Sequence, residues 1–146
     1  VVLGSLGRDQ LVGGTRADRL AGASGRDAIK GGDGDDEISG GPGSDEIRGD
    51  LGNDQISGGL DNDNIHAGNG DNTVSGHLGN DRILARSGND VLGGGPGDDL
   101  IHDLGGVNQI RCGSGFDRVR TNPASMVDED CEMVKRVPLK AAGLRA

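Results

Sequence analysis

A register of nine residues runs from Gly4 to Arg120 without one insertion or deletion. No other feature restricts the fold as tightly, because self-similarity at a short fixed period makes each repeat a unit that buries its apolar face only against its neighbours. With positions numbered from Gly4, the eighth is aliphatic in all thirteen units: Leu11, Leu20, Ile29, Ile38, Ile47, Ile56, Ile65, Val74, Ile83, Leu92, Ile101, Ile110 and Val119. The sixth is Asp in eleven: Asp9, Asp18, Asp27, Asp36, Asp45, Asp54, Asp63, Asp81, Asp90, Asp99 and Asp117. Asn72 and Asn108 fill the other two places. The fourth is Gly in eleven, broken by Arg16 and Asp61.

Each unit therefore reads as a glycine-rich turn ending in a carboxylate, then a three-residue strand whose middle side chain points inward. Two units make an 18-residue coil with one short strand on each side, and coils stacked about 4.8 Å apart form two facing parallel sheets. Thirteen units give six and a half turns. The expected fold class is all-β, a parallel β-roll over residues 1–120. A chain with one Phe, no Tyr, no Trp and 30 Gly does not build a globular core of ordinary thickness, so something besides apolar packing has to hold the coils together.

Gly31-Gly32-Asp33-Gly34-Asp35-Asp36-Glu37-Ile38-Ser39 matches the pattern G-G-x-G-x-D-x-U-x. Over residues 4–120, 117 of 146, the chain resembles the RTX, or hemolysin-type, calcium-binding nonapeptide family. The resemblance implies a right-handed β-roll in which sixth-position side chains and turn carbonyls hold Ca2+. The implied ligands are the eleven Asp residues above, Asn72, Asn108, and the backbone carbonyls of Gly32, Gly34, Gly41 and Gly43. Pairing each unit with the next but one implies up to eleven ions. Asn72 and Asn108 offer neutral oxygens, and Arg16, Asp61 and Leu104 replace glycines, so sites beside units two, seven, eight and twelve are expected to be weaker. Rows of Asp about 5 Å apart repel without the ion, so the metal-free chain is expected to be expanded and disordered.

The formal charge of −9, from 24 carboxylates against 15 Lys and Arg, favours bound cations and argues against nucleic acid or an anionic membrane as partner. No stretch approaches the roughly 18 apolar residues of a membrane span. Val1 is read as a processed or excised start, and the chain as secreted or held at the cell surface. Two cysteines, Cys112 and Cys131, fit a disulfide formed in an oxidising compartment, the alternative being two reduced core residues. Residues 121–134, with four acidic and no basic groups, read as a stapled C-terminal cap. Residues 135–146, with four basic and no acidic groups, read as a basic tail.

A catalytic role is disfavoured. His66 and His102 occupy outward ninth positions, His77 sits in a turn, and no GxGxxG, HExxH or nucleophile elbow is present. The outward ninth positions of alternate units differ: Val12, Lys30, Arg48, His66, Leu84 and His102 on one face, and Ala21, Ser39, Ser57, Ser75 and Gly93 on the other. The small, flat strip suits lateral packing, and Val1-Val2-Leu3 enters the first unit without a polar cap, which suits head-to-tail stacking. The leading expectation is a calcium-dependent extracellular structural protein that self-associates. Its rivals are a calcium-folded module of a larger secreted enzyme or adhesin, and an ice-binding solenoid. The last is opposed by the irregular third positions Leu6, Ser24, Pro42, Leu60, Leu78, Pro96 and Ser114.

Overall fold

A computed structural model describes residues 1–138. The chain forms sixteen strands. The first eight are β1 (Val2–Leu3), β2 (Gln10–Gly14), β3 (Arg19–Ala21), β4 (Ala28–Asp33), β5 (Glu37–Pro42), β6 (Glu46–Leu51), β7 (Gln55–Leu60) and β8 (Asn64–Asn69). The rest are β9 (Thr73–Leu78), β10 (Arg82–Ser87), β11 (Val91–Pro96), β12 (Leu100–Asp103), β13 (Gln109–Ser114), β14 (Arg118–Thr121), β15 (Met126–Val127) and β16 (Met133–Arg136). Odd-numbered strands make one eight-stranded sheet in chain order and even-numbered strands make the other, with every pairing parallel. This is a parallel β-solenoid of about eight turns. No described residues form a helix long and apolar enough to cross a membrane.

The register is that of the repeat: Ile47 pairs with Ile65, and Ile38 with Ile56, each 18 residues on. All thirteen eighth-position side chains are buried and line up between the sheets. Their β-branched and aliphatic shapes suit a thin core fed by one side chain per strand. The nonapeptides account for thirteen strands. The additional turns come from β1 before them and from β15 and β16 after them, where the spacing tightens: Gln109 pairs with Met126, 17 residues on, and Arg118 with Met133, 15 residues on. The sheets thus run on past Arg120.

Cys112 and Cys131 form a disulfide with a Cα–Cα distance of 5.2 Å, tying β13 to the segment that enters β16. Of the basic tail, Lys135 and Arg136 lie in β16, while residues 139–146 fall outside the described residues. Arg136 reaches back over the end of the roll and donates to the carbonyls of Asn122, Pro123 and Ser125.

Candidate metal centre

The turns stack in two columns, one along each edge of the roll. Turns that lead from odd strands to even strands carry Asp9, Asp27, Asp45, Asp63, Asp81, Asp99 and Asp117, here called the Asp9 edge. Turns that lead the other way carry Asp18, Asp36, Asp54, Asn72, Asp90 and Asn108, the Asp18 edge.

On both edges the sixth-position side chain closes a ladder between coils. The backbone N–H of Asp9 donates to Asp27 Oδ1 at 2.8 Å, that of Asp27 to Asp45 Oδ1 at 2.7 Å, and that of Asp63 to Asp81 Oδ1 at 2.8 Å. On the other edge Asp18 donates to Asp36 and Asp36 to Asp54 in the same way. The ladder uses one carboxylate oxygen and leaves the other. Oδ2 of Asp27, Asp36, Asp45, Asp54, Asp63, Asp81, Asp90, Asp99 and Asp117 is buried with no hydrogen-bond partner, on residues no more than 2 % exposed. An unsatisfied buried acceptor costs about 1–3 kcal/mol, and more when it is charged. Nine in two columns call for partners, and cations between the turns would supply them.

Burial leaves its mark on these acids. Loss of solvent, with the neighbouring carboxylates adding to it, pushes Asp45 and Asp54 up to about 6 and Asp63 and Asp99 to about 7. Asp90 rises to about 6 by burial as well. The backbone N–H on Oδ1 opposes the rise in each case without cancelling it.

The space beside Oδ2 is kept open by the first residue of the unit. A Cβ built on Gly22 would lie 2.4 Å from Asp27 Oδ2 and 2.7 Å from the carbonyl oxygen of Gly40, one coil on. The same cradle recurs at Gly40, with Asp45 Oδ2 at 2.3 Å and the Gly58 carbonyl at 2.6 Å, and at Gly76, with Asp81 Oδ2 at 2.2 Å and the Gly94 carbonyl at 2.6 Å. One carboxylate oxygen and one carbonyl oxygen from successive coils thus converge where a side chain is missing. Hard, oxygen-only donors of this kind suit Ca2+, which takes six to eight oxygens in flexible geometry.

The glycines at the second and fourth positions also meet a steric demand. Gly32 and Gly43 adopt φ of 114° and 128°, and a Cβ on them would fall 2.1 Å and 1.8 Å from the carbonyl oxygens of Gly14 and Gly25 on the preceding coil. A Cβ on Gly41 would fall 2.1 Å from the Ala23 carbonyl oxygen, and one on Gly34 2.6 Å from the carbonyl carbon of Arg16. At four such positions that carry a side chain, Ala23, Asp50, Asp61 and His77, φ stays positive at 74–78°, whereas Ser5, Arg16, Arg86 and Leu104 leave the left-handed region. Asp61 therefore keeps the left-handed turn despite replacing a glycine.

A family model of the RTX calcium-binding nonapeptide repeat matches residues 3–38, 21–56, 30–65, 57–92 and 86–119. The chain belongs to the RTX calcium-binding repeat family. Its coils are RTX coils, and it is a calcium-binding β-roll. Comparison with the curated proteins returns no match.

In this RTX roll the expected residues fall into place unevenly. The eleven Asp residues stand in the two columns, but Asp9 and Asp18, on the first coils, are only half-buried, and Asp9 Oδ2 accepts from the backbone N–H of Ser5 at 2.7 Å. Asn72 and Asn108 keep the ladder through Oδ1, accepting from the backbone of Asp54 and Asp90. Their amide nitrogens then donate to the carbonyls of Gly70 at 3.0 Å and Gly105 at 2.8 Å. His66 and His102 lie on the outer face of the even sheet, their pKa lowered by partial burial and by nearby arginines. Reading the fourth, sixth and eighth positions misses the first, which decides whether a cradle is open. Taking the first position every 18 residues reveals it: Gly4, Gly22, Gly40, Gly58, Gly76 and Gly94 on one edge, and Gly13, Gly31 and Gly49 followed by Ala67, Ala85 and Asp103 on the other.

Proposed function

We propose that this chain is an extracellular, non-catalytic structural module whose roll is folded and held by Ca2+. The observation that carries this reading is the double row of buried, unpartnered Oδ2 atoms, seven of which, from Asp27 to Asp63 and at Asp81 and Asp99, face a backbone carbonyl from the neighbouring coil across a first-position glycine. The proposed ligands are the sixth-position carboxylates and the turn carbonyls around them. When bound, the ion supplies the positive charge that lets successive carboxylates stack. Because Oδ1 of each of these acids from Asp27 onward is already committed to the ladder, they are poorly placed to act as free general acids or bases. The Cys112–Cys131 disulfide supports an oxidising compartment, where millimolar calcium suits the weak affinities of extracellular modules, about 10⁻⁴–10⁻³ M.

Far-ultraviolet circular dichroism during calcium titration tests this reading. The β signal is expected to appear cooperatively as calcium is added to chelator-treated protein. A full β spectrum in excess chelator overturns it.

Self-association is a second component, supported by apolar side chains at both ends of the roll. Leu3, Leu6 and Val12 are exposed on the first coil, and Met126, Met133 and Val134 on the last. A further coil, of this chain or of another molecule, would cover either end. Negative-stain microscopy in about 5 mM calcium, above those weak affinities, should show rods joined end to end that separate on chelation. Single short rods at all protein concentrations would remove this component and leave calcium folding standing.

A further inference from the structure

We infer that the two edges of the roll do not bind calcium equally: the Asp9 edge takes ions at its glycine cradles as far as Asp99, whereas the Asp18 edge takes them only as far as Asp54 and is closed beyond it by the protein's own hydrogen bonds. The inference rests on the calcium reading above and concerns where the ions lie. It uses three independent observations, all on the C-terminal half of one edge.

The first is steric. On the Asp9 edge the first position is Gly in six successive units, and every one of those glycines has the Oδ2 of its own Asp and the carbonyl of the next coil within 2.9 Å of the missing Cβ. On the Asp18 edge this holds at Gly31 and Gly49, and more loosely at Gly13. The next two units carry Ala67 and Ala85, both fully buried, so a methyl group fills the space that glycine keeps open.

The second is chemical. Asn72 and Asn108 preserve the Oδ1 ladder but replace the unpartnered oxygen with an NH2 group, which donates and does not ligate a cation. Each NH2 is aimed at a turn carbonyl, that of Gly70 or Gly105, and takes it out of use as a metal ligand. Asp90, the one carboxylate left in this stretch, has Asn72 and Asn108 as its column neighbours and Ala85 at its first position. Its Oδ2 is unpartnered, yet it faces no glycine cradle, and the carboxylates that act on it, Asp103 and Asp71, are not its sixth-position column neighbours.

The third is the closure itself. Asp103 stands at the first position of the next unit, 4 % exposed, and both of its carboxylate oxygens accept hydrogen bonds from protein groups. Gly105 N–H donates to Oδ1 at 3.0 Å. The Thr121 hydroxyl, Asn122 Nδ2 at 3.2 Å and the Ser125 hydroxyl at 2.8 Å donate to Oδ2. Ser125 Oγ in turn accepts the N–H of Asn108 at 3.2 Å, the ladder position that a sixth-position carboxylate fills elsewhere. Asn122 Nδ2 also donates to the Gly106 carbonyl at 2.7 Å. Repulsion between stacked carboxylates, which makes calcium necessary on the Asp9 edge, is thereby removed here by composition.

The roll then offers at most nine cradles, six on the Asp9 edge and three on the other, in place of eleven inter-coil sites. Native mass spectrometry of the full chain across a calcium series counts the ions. The expected result is no more than nine in the unaltered protein, a loss of at least one from Asp81→Asn, and no loss from Asp90→Asn. The double change Ala67→Gly with Asn72→Asp, which rebuilds a cradle, is expected to add one. A count above nine, or equal losses from Asp81→Asn and Asp90→Asn, overturns the asymmetry and leaves calcium binding intact. Absence of any bound ion overturns the calcium reading instead. Circular dichroism at saturating calcium confirms that each variant is folded before its ions are counted.

Discussion

Along the Asp9 edge seven carboxylates stand one above another, and six of them rise over a glycine. Along the Asp18 edge the third carboxylate is the last before Asn72 and Ala67 intervene, and the column ends on hydroxyls and amides around Asp103. Both edges share one backbone ladder, because Asp and Asn offer the same Oδ1 to the N–H of the coil before. They differ in the second atom of that side chain and in one methyl group across from it. On the proposal above, coils are stacked either by an ion between carboxylate-bearing turns or by the protein's own hydrogen bonds, with the same strands and the same core.

The largest test of this comparison is removal of calcium. Chelation is expected to abolish most of the β circular dichroism, because the Asp9 edge runs through every coil and its stacked carboxylates then repel. Hydrogen exchange during stepwise chelation sharpens the contrast: amides on the Asp18 edge near Asp103 should lose protection after those near Asp45. The reverse order breaks it.

The disulfide is expected to matter next. Replacing Cys112 and Cys131 with Ser opens a loop closed at a sequence separation of 19 and should cost about 3 kcal/mol, read as a lower denaturation midpoint in saturating calcium. An unchanged midpoint would show that Arg136 and Asp103 alone hold the last turns.

A methyl group exchanged between the edges gives a smaller, sided effect. Gly58→Ala places a Cβ 2.4 Å from Asp63 Oδ2 and 2.8 Å from the Gly76 carbonyl, and should cost about 2–3 kcal/mol in calcium. The reciprocal Ala85→Gly, with no cradle ion to lose, should cost ~1 kcal/mol. Equal penalties, measured by thermal unfolding in calcium, would mean that the first position does not distinguish the edges.

Acidity gives the smallest effect, in metal-free protein. Asp45 and Asp54 titrate at about 6, and Asp63 and Asp99 at about 7, against about 4 in an unfolded chain. The folded state then binds more protons than the unfolded one between about pH 4 and 7. Stability from these groups is present below pH 4 and lost as pH rises through 6 to 7. Desalted, calcium-free protein should therefore regain part of its β signal on going from pH 8 to pH 5. A signal that does not change over this range would contradict the burial of the Oδ2 rows.

Much of this was legible before any coordinates. A period of nine with an aliphatic eighth residue specifies a coil of two half-turns, and the thirteen inward side chains form the core it requires. The sixth-position acids were identifiable as the charged row, since no other position repeats a carboxylate so regularly. The last turns were not. Between Arg120 and Arg136 the coil spacing falls to 17 and then 15, so the register of nine is lost although β15 and β16 still pair in the sheets. Nor does the linear order of the repeats show that Arg136 covers the carbonyls of Asn122, Pro123 and Ser125.

The sequence by itself determined the period, the strands, the inward stripe and the family, because each of these depends on residues within one nonapeptide or on its repetition. The tertiary structure alone decided which turns share an edge, which oxygens remain unpartnered, and where the column of carboxylates stops. Those properties belong to residues 18 apart that meet only after the chain has completed a coil. An Oδ2 left without a donor is a relation between two turns and the glycine that separates them, and one unit does not contain it.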